Sequence, residues 1–254
     1  MSELNNIALK IIGKGKGILA ADESTGTMTK RLDSVNVKSN SKNRLLFRET
    51  LFTSDIMKDC IGGVILYDET IKQCGSSGKT IPEIISETGS VPGIKVDTGA
   101  KDLANSKEEK ITEGLDGLRE RLKTYYELGA RFTKWRGVYL ISDNYPSKLS
   151  VNSNAHALAR YSALAQECGM VPIVEPEVLM EGNHSADDCY KKTTIVLKKC
   201  FDEIILNKID LKGIILKPNM ILPGSKSTKK ISNEEIASLT TKCLKENVPA
   251  EVPG

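Results

Sequence analysis

Short apolar segments, each lying at or near a Gly or Pro signal, alternate along this chain with longer helical patterns. We predict six buried strands, which run over residues 17–22, 62–68, 91–97, 130–137, 171–178 and 212–220. The clearest helical patterns lie at residues 112–128, 154–168, 187–202 and 233–246. Strands that alternate with helices favour right-handed crossovers and a parallel sheet. The pattern therefore predicts a fold of the α/β class.

The spacing of the strands narrows this prediction to one architecture. Their midpoints recur at roughly 30 to 45 residues, which suits a (β/α)₈ TIM-type barrel, a fold of about 250 residues. We predict a single barrel domain over residues 1–254, in which six of the eight strands are present and the C-terminal part is incomplete. An open six-strand sheet has two free edges and an uncovered interior. We therefore expect either a fragment or another element that covers the edge.

Composition excludes several classes of function. The chain is 39% hydrophobic and 27% charged, as expected for a soluble globular protein, and its net charge of +3 comes from 36 basic and 33 acidic residues. This even distribution predicts neither a nucleic acid nor a membrane as partner. Six scattered cysteines without a C-x-x-C pair or a secretory leader indicate a reducing, cytoplasmic location. With only two histidines, His156 and His184, we expect no metal site.

Ionisable residues stand at the carboxyl ends of five predicted strands. They are Asp22, Lys95, Asp97, Lys134, Arg136, Glu175, Glu177 and Lys217. In a parallel barrel this end forms the active face, and residues at i and i+2 of a strand point to the same side. Burying so many charges is unfavourable unless they pair or bind a ligand, so a shared site is the favoured interpretation. The alternative is a set of structural ion pairs, and Lys95 with Asp97 fits that alternative best.

Lys217 follows three branched aliphatic residues, so we expect it to be desolvated, with Lys95 and Lys134 close by. Such a setting disfavours the ammonium form and leaves free amine near neutrality. A free amine attacks a ketone to form a Schiff base, and a carbon-carbon bond beta to that Schiff base breaks once a carboxylate accepts the hydroxyl proton. Asp22, Glu175 and Glu177 are the candidate carboxylates. The residues therefore favour lyase chemistry.

Six motifs, in this order, resemble those of class I fructose-bisphosphate aldolases: ILAADESTG, CIGGVILYDET, GIKVD, KWR, IVEPE and LKPNM. The resemblance implies that Lys217 is the Schiff-base lysine and that Glu175 is the general acid and base. It implies that Glu177 assists carbinolamine formation and dehydration, and that Asp22 assists carbon-carbon cleavage. It further implies that Lys95, Lys134 and Arg136 line the site and help to hold the distal phosphate.

The same resemblance implies reversible cleavage of fructose 1,6-bisphosphate to dihydroxyacetone phosphate and glyceraldehyde 3-phosphate, in glycolysis and gluconeogenesis. It implies no cofactor and, for a complete chain, a homotetramer. In this family a serine, glycines and an arginine from the last two strands grip the other phosphate, and we expect this chain to lack them. Two alternatives stay open. One is another Schiff-base barrel lyase, which the IVEPE and ADEST segments disfavour. The other is a truncated, non-catalytic aldolase fragment that acts as an interaction protein.

Overall fold

One six-stranded parallel sheet organises the protein, for which a computed structural model describes residues 2–254. Its strands are β1 (Gly17–Ala21), β2 (Ile61–Leu66), β3 (Val91–Lys95), β6 (Phe132–Tyr139), β7 (Val171–Val178) and β8 (Ile215–Leu216), adjacent in that order. Because each pair is in parallel register, all six carboxyl ends lie at the same edge. The predicted α/β class and the six parallel strands of a partial barrel are confirmed.

Helices lie between most strands, and most of them cover the outer face of the sheet. They are α1 (Glu3–Ile11), α2 (Thr25–Asp33), α3 (Ser41–Phe52), α4 (Met57–Cys60), α5 (Asp68–Ile71), α6 (Ile81–Glu87), α7 (Leu118–Glu127), α8 (Lys148–Glu167), α9 (Ala186–Leu206) and α10 (Asn233–Asn247). Local sequence sets where the long helices begin. Ser147, Ser185 and Ser232 cap α8, α9 and α10 by accepting a backbone N–H three residues later. Within residues 2–254, no helix has both the length and the apolar character needed to cross a membrane.

Two apolar clusters hold the layers together. The larger one lies between the sheet and the outer helices and includes Trp135, Leu158 and Ile204. The smaller one lies on the inner face, where Ile11 of α1 packs against Phe132 and its neighbours near the amino ends of the strands. Gly62 permits this packing, since a Cβ there would stand 1.9 Å from the carbonyl oxygen of Ile11. Helix α1 therefore closes the end of the sheet opposite the predicted active face.

Two sequence predictions fail in detail. The helix predicted from residue 112 is wrong at its start, because Lys110–Glu113 forms strand β5, paired in an antiparallel hairpin with β4 (Gly99–Asp102). Helix α7 begins only after Gly117, whose φ of +63° suits glycine. The strand predicted at residues 212–220 shrinks to two residues, preceded by a 3₁₀ turn at Leu211–Gly213. Pro218 ends the ladder because it has no N–H to donate.

Candidate active site

A cavity of about 480 Å³ opens at the carboxyl ends of β1, β3 and β6. Five of the predicted site residues lie along its wall, namely Asp22, Lys95, Asp97, Lys134 and Arg136. Glu175 and Glu177 stand on the next strand of the sheet, β7, and Lys217 is the first residue after β8. Parallel strands place these side chains together because their ends share one edge of the sheet.

Lys134 occupies the centre of the site. Its ammonium lies 2.9 Å from Asp22 Oδ2 and 3.1 Å from Glu175 Oε2, and all three residues are buried. Two strands lie between β1 and β6, so a flat sheet would hold these chains about 14 Å apart. The contact with Asp22 therefore depends on the curvature of the half-barrel. Burial disfavours the Lys134 cation, but the carboxylates of Asp22 and Glu175 outweigh that effect and raise its pKa.

Lys217 donates to Oε1 of Glu175, the same carboxylate whose other oxygen faces Lys134. Four side chains thus form one row of alternating negative and positive charges, in the order Asp22, Lys134, Glu175, Lys217. The prediction that Lys217 is desolvated is wrong, because half of its side chain is exposed. It follows the short edge strand β8, whose Leu216 N–H donates to the carbonyl of Gly254 at 2.9 Å instead of to a further strand. The Glu175 carboxylate is therefore the group in direct contact with the Lys217 amine.

The remaining predicted residues form two further pairs. Lys95 donates to Asp97 Oδ1 at 2.5 Å, and the same oxygen accepts the N–H of Gly99 at 3.1 Å. This pair has the structural role that the alternative interpretation expected, yet Lys95 also faces the cavity. Lys95 lies opposite Lys134 in the register of β3 and β6, as expected, but its ion pair is with Asp97 and not with the carboxylates around Lys134.

Arg136 donates to Glu177 at the partly exposed mouth of the site. Burial lowers the pKa of the Arg136 guanidinium. The hydrogen-bonded carboxylate of Glu177 raises that pKa by a larger amount, so the net shift is upward. Glu175 and Glu177 therefore differ in surroundings although they are two residues apart. Glu175 is enclosed between two lysines, whereas Glu177 holds an arginine near solvent.

Among the residues of the cavity wall that sequence reasoning missed are Ser24, Thr27 and Tyr67. Ser24 caps helix α2, and its hydroxyl accepts the N–H of Thr27. A Ser directly after a strand and before a helix was a usable signal, because helix starts at the carboxyl edge of a parallel sheet often face ligands. Tyr67 follows β2 in the way that Asp22 follows β1, so its register was also readable.

The two histidines lie apart and outside the site. His156 contacts Glu203 between the outer helices α8 and α9, and His184 is buried in the loop before α9. Residues 2–254 include no group of three or more His, Cys, Asp or Glu side chains arranged as a metal site. Loop residues 182–185 also bind the segment after β8, since Gly224 N donates to His184 O at 2.9 Å.

We expect His184 to make the protein less stable in acid. Burial lowers its pKa from the usual 6.5, and the nearby Asp188 offsets only part of this shift. A depressed pKa stabilises the folded state above about pH 6.5, and this contribution is lost as the pH falls below that value. Urea unfolding at about pH 7.5 and pH 5 tests this. His184→Gln should show a smaller loss in acid than the wild type, whereas His156→Gln should keep the full loss. Equal losses in both variants would contradict the prediction.

The fold and the site define a partial (β/α) barrel with lysines and carboxylates at its active face. A family model described as fructose-bisphosphate aldolase class-I matches residues 3–254. The chain belongs to the class I fructose-bisphosphate aldolase family, whose members are lyases.

Relatives from three kingdoms agree with this assignment. A probable class 1 fructose-bisphosphate aldolase of Xylella fastidiosa is 47% identical over all of this chain and 76% of its own length. Cytosolic aldolase 6 of Arabidopsis thaliana is 49% identical over 94% of this chain and 67% of its own length. Aldolase C of Carassius auratus is 46% identical over 99% and 70%.

A solved structure gives the same result for the fold. The Plasmodium falciparum fructose-bisphosphate aldolase, determined in complex with TRAP and a small molecule inhibitor, superposes with a TM-score of 0.97 and is 41% identical. The alignment covers 99% of this chain and 73% of that chain. The strand order and the curvature described above are therefore those of the family.

Proposed function

We propose that this protein cleaves fructose 1,6-bisphosphate reversibly to dihydroxyacetone phosphate and glyceraldehyde 3-phosphate through a Schiff base on Lys217. The observation that carries the proposal is the position of Glu175, which contacts Lys217 with one oxygen and faces Lys134 with the other. A carboxylate so placed can take a proton from the nucleophile, while a fixed cation behind it stabilises its charge.

The first half of the reaction needs both a free amine and a loss of water. Glu175 accepts a proton from the Lys217 ammonium, and the amine then attacks the ketone carbon of the substrate to form a carbinolamine. The protonated Glu175 returns its proton to the carbinolamine hydroxyl, which leaves as water and yields the iminium. Glu177, held by Arg136 at the mouth of the site, assists these proton transfers.

Carbon-carbon cleavage follows on the other side of Lys134. The iminium nitrogen draws the electron pair of the C3–C4 bond, and Asp22 accepts the proton of the C4 hydroxyl as the aldehyde leaves. Lys134 lies 2.9 Å from Asp22, so its ammonium group fixes the position of that carboxylate beside the C4 hydroxyl. Protonation of the enamine at C3 and hydrolysis of the iminium then release dihydroxyacetone phosphate and restore Lys217.

The distal phosphate is assigned to Lys95 and Arg136, the two cations at the open part of the cavity. Each is paired with a carboxylate, Asp97 or Glu177, that a phosphate dianion can replace in part. The cytoplasmic location, the homotetramer, the absence of nucleic acid or membrane partners and the single barrel domain over residues 1–254 stay predictions.

A cleavage assay in EDTA tests the proposal. The purified protein should release glyceraldehyde 3-phosphate from fructose 1,6-bisphosphate at a rate that EDTA does not change, because the chemistry resides in Lys217 and the carboxylates. With dihydroxyacetone phosphate alone in D₂O, it should exchange a C3 proton for deuterium, which reports the iminium and enamine steps by themselves. A folded sample that gives neither cleavage nor exchange would overturn the proposal.

A further inference from the structure

Arg48 is a buried arginine behind the wall of the cavity. It stands on α3, and its side chain is 1% exposed. The guanidinium donates to Thr70 Oγ1 at 2.7 Å and to the backbone carbonyl of Glu23 at 2.6 Å. It also lies 3.6 Å from the Glu23 carboxylate. Neither the sequence motifs nor the proposed mechanism uses this residue.

The two hydrogen bonds of Arg48 hold two adjacent loops of the active face. Glu23 is the middle residue of the short connection between the end of β1 and the start of α2. Thr70 lies on α5, directly after β2, and β1 pairs with β2 along its length. Because Asp22 precedes Glu23 by one residue, the guanidinium that fixes the Glu23 carbonyl also fixes the backbone that carries the Asp22 carboxylate.

Glu23 is held from the other side as well. Its Oε1 accepts from Arg31 of α2 at 2.5 Å, so Arg31 and Arg48 flank the residue next to Asp22. The connection from β1 to α2 is thus held by arginines on both sides. With Glu23 held in this way, the preceding residue, Asp22, places its carboxylate 2.9 Å from the Lys134 ammonium.

Stability alone does not account for an arginine at this position. Burial lowers the pKa of the Arg48 guanidinium, and Glu23 offsets this effect only partly. The guanidinium Nε has no hydrogen-bond partner. Apolar residues of similar volume often replace buried ion pairs without loss of stability. A buried cation of this kind contributes through the positions of the groups that it binds.

We propose that Arg48 is a positioning residue that sets the Asp22 carboxylate for carbon-carbon cleavage. The inference rests on the proposed function, in which Asp22 accepts the hydroxyl proton. Arg48 acts on that step alone, because Schiff-base formation uses Lys217 and Glu175 on the far side of Lys134. Loss of Arg48 therefore separates the two halves of the reaction.

Arg44 offers a matched control. It lies one turn earlier on α3 and is also mostly buried, and it forms two hydrogen bonds with Glu69, at 2.8 and 2.6 Å. It makes no hydrogen bond to the connection between β1 and α2. Replacing Arg44 removes a comparable ion pair from the same helix but leaves the surroundings of Asp22 intact.

The experiment compares Arg48→Met, Arg48→Lys and Arg44→Met with the wild type in two assays. Arg48→Met should lower kcat for cleavage by about 100-fold, the scale expected for a misplaced catalytic group. It should still give the borohydride-trapped adduct of dihydroxyacetone phosphate on Lys217 in wild-type yield. Arg48→Lys keeps the positive charge but cannot donate to Thr70 and to the Glu23 carbonyl at the same time. It should therefore also lower kcat for cleavage without lowering the trapping yield, but by a smaller factor. Arg44→Met should cleave and trap like the wild type.

Two results would overturn the inference: cleavage by both Arg48 variants at the rate of Arg44→Met, or parallel loss of cleavage and trapping. A wild type that traps no adduct would instead contradict the proposed function. In that case the crystal structure of Arg48→Met tests the positioning role of Arg48 without an activity assay. Asp22 and Lys134 should separate beyond hydrogen-bond distance, and an unchanged contact would refute the positioning role.

Discussion

Replacing Lys217 with methionine should abolish cleavage, with kcat lower by on the order of 10⁵-fold or more, as is typical when a covalent nucleophile is removed. Methionine retains most of the length of the lysine side chain but has no amine to form the Schiff base. The protein should stay folded, because half of the Lys217 side chain is exposed and its ion pair is replaceable by water. We expect the free energy of unfolding to change by less than about 1 kcal/mol.

Lys212→Met is the matched control for this variant. Lys212 belongs to the 3₁₀ turn just before β8, so it lies on the same segment as Lys217 but away from the carboxyl ends of the strands. It should keep wild-type turnover. Steady-state cleavage and urea unfolding measure both effects, and a Lys217→Met protein that retains more than a few per cent of activity would contradict the assignment.

Replacing Glu175 with glutamine should damage both catalysis and stability. The amide can neither accept a proton from Lys217 nor return one to the carbinolamine, so kcat should fall by about 10² to 10⁴-fold, the usual contribution of a general acid or base. The substitution also removes the carboxylate between the Lys134 and Lys217 ammonium groups. Because Lys134 is buried and keeps only Asp22, we expect a loss of about 3 kcal/mol in the free energy of unfolding.

Glu177→Gln separates these effects from a general change in β7. Glu177 lies two residues further along the same strand, and its partner Arg136 is 44% exposed. Losing that pair should reduce stability by no more than about 1 kcal/mol. Thermal or urea unfolding of the two variants in parallel gives the comparison. Equal free energies of unfolding for Glu175→Gln and Glu177→Gln would show that the ion pairs of Glu175 with Lys134 and Lys217 do not stabilise the fold.

The sequence was sufficient for the framework because buried parallel strands have a distinct pattern. The apolar run at residues 171–178 became β7 with the same bounds. Asp22 and Lys217 directly follow parallel strands, Lys134 and Glu175 lie within β6 and β7, and the parallel sheet brings the four side chains together. Strand periodicity fixes which edge a side chain occupies. That much of the site is a property of local sequence.

Partners and exposure were not readable in the same way. Three lysines and four carboxylates permit many pairings, and the observed choice of Asp22 for Lys134 depends on the curvature of the whole sheet. The exposure of Lys217 depends on what lies beyond β8, which no pattern in IILKPN encodes. The hairpin strand at residues 110–113 is four residues long, too short to differ in periodicity from a helix start.

Arg48 was invisible for a related reason. It stands in the run LLFRETLF, where Leu46, Phe47 and Leu51 are exposed and the arginine is buried, the reverse of the usual amphipathic pattern. Its partners, Glu23 and Thr70, lie 25 and 22 residues away. Only the tertiary fold, which sets α3 beside the segments that follow β1 and β2, brings them together.

Borohydride trapping on the wild-type protein is the decisive measurement for the site at Lys217. The protein is incubated with dihydroxyacetone phosphate, reduced, digested and mapped by peptide mass spectrometry, with Lys217→Met treated in parallel. A Schiff-base site formed by Lys217 and Glu175 predicts one adduct, on Lys217, that is absent from the variant. A folded wild-type sample with no adduct, or with its adduct on Lys95 or Lys134, would contradict the assignment of Lys217 as the nucleophile.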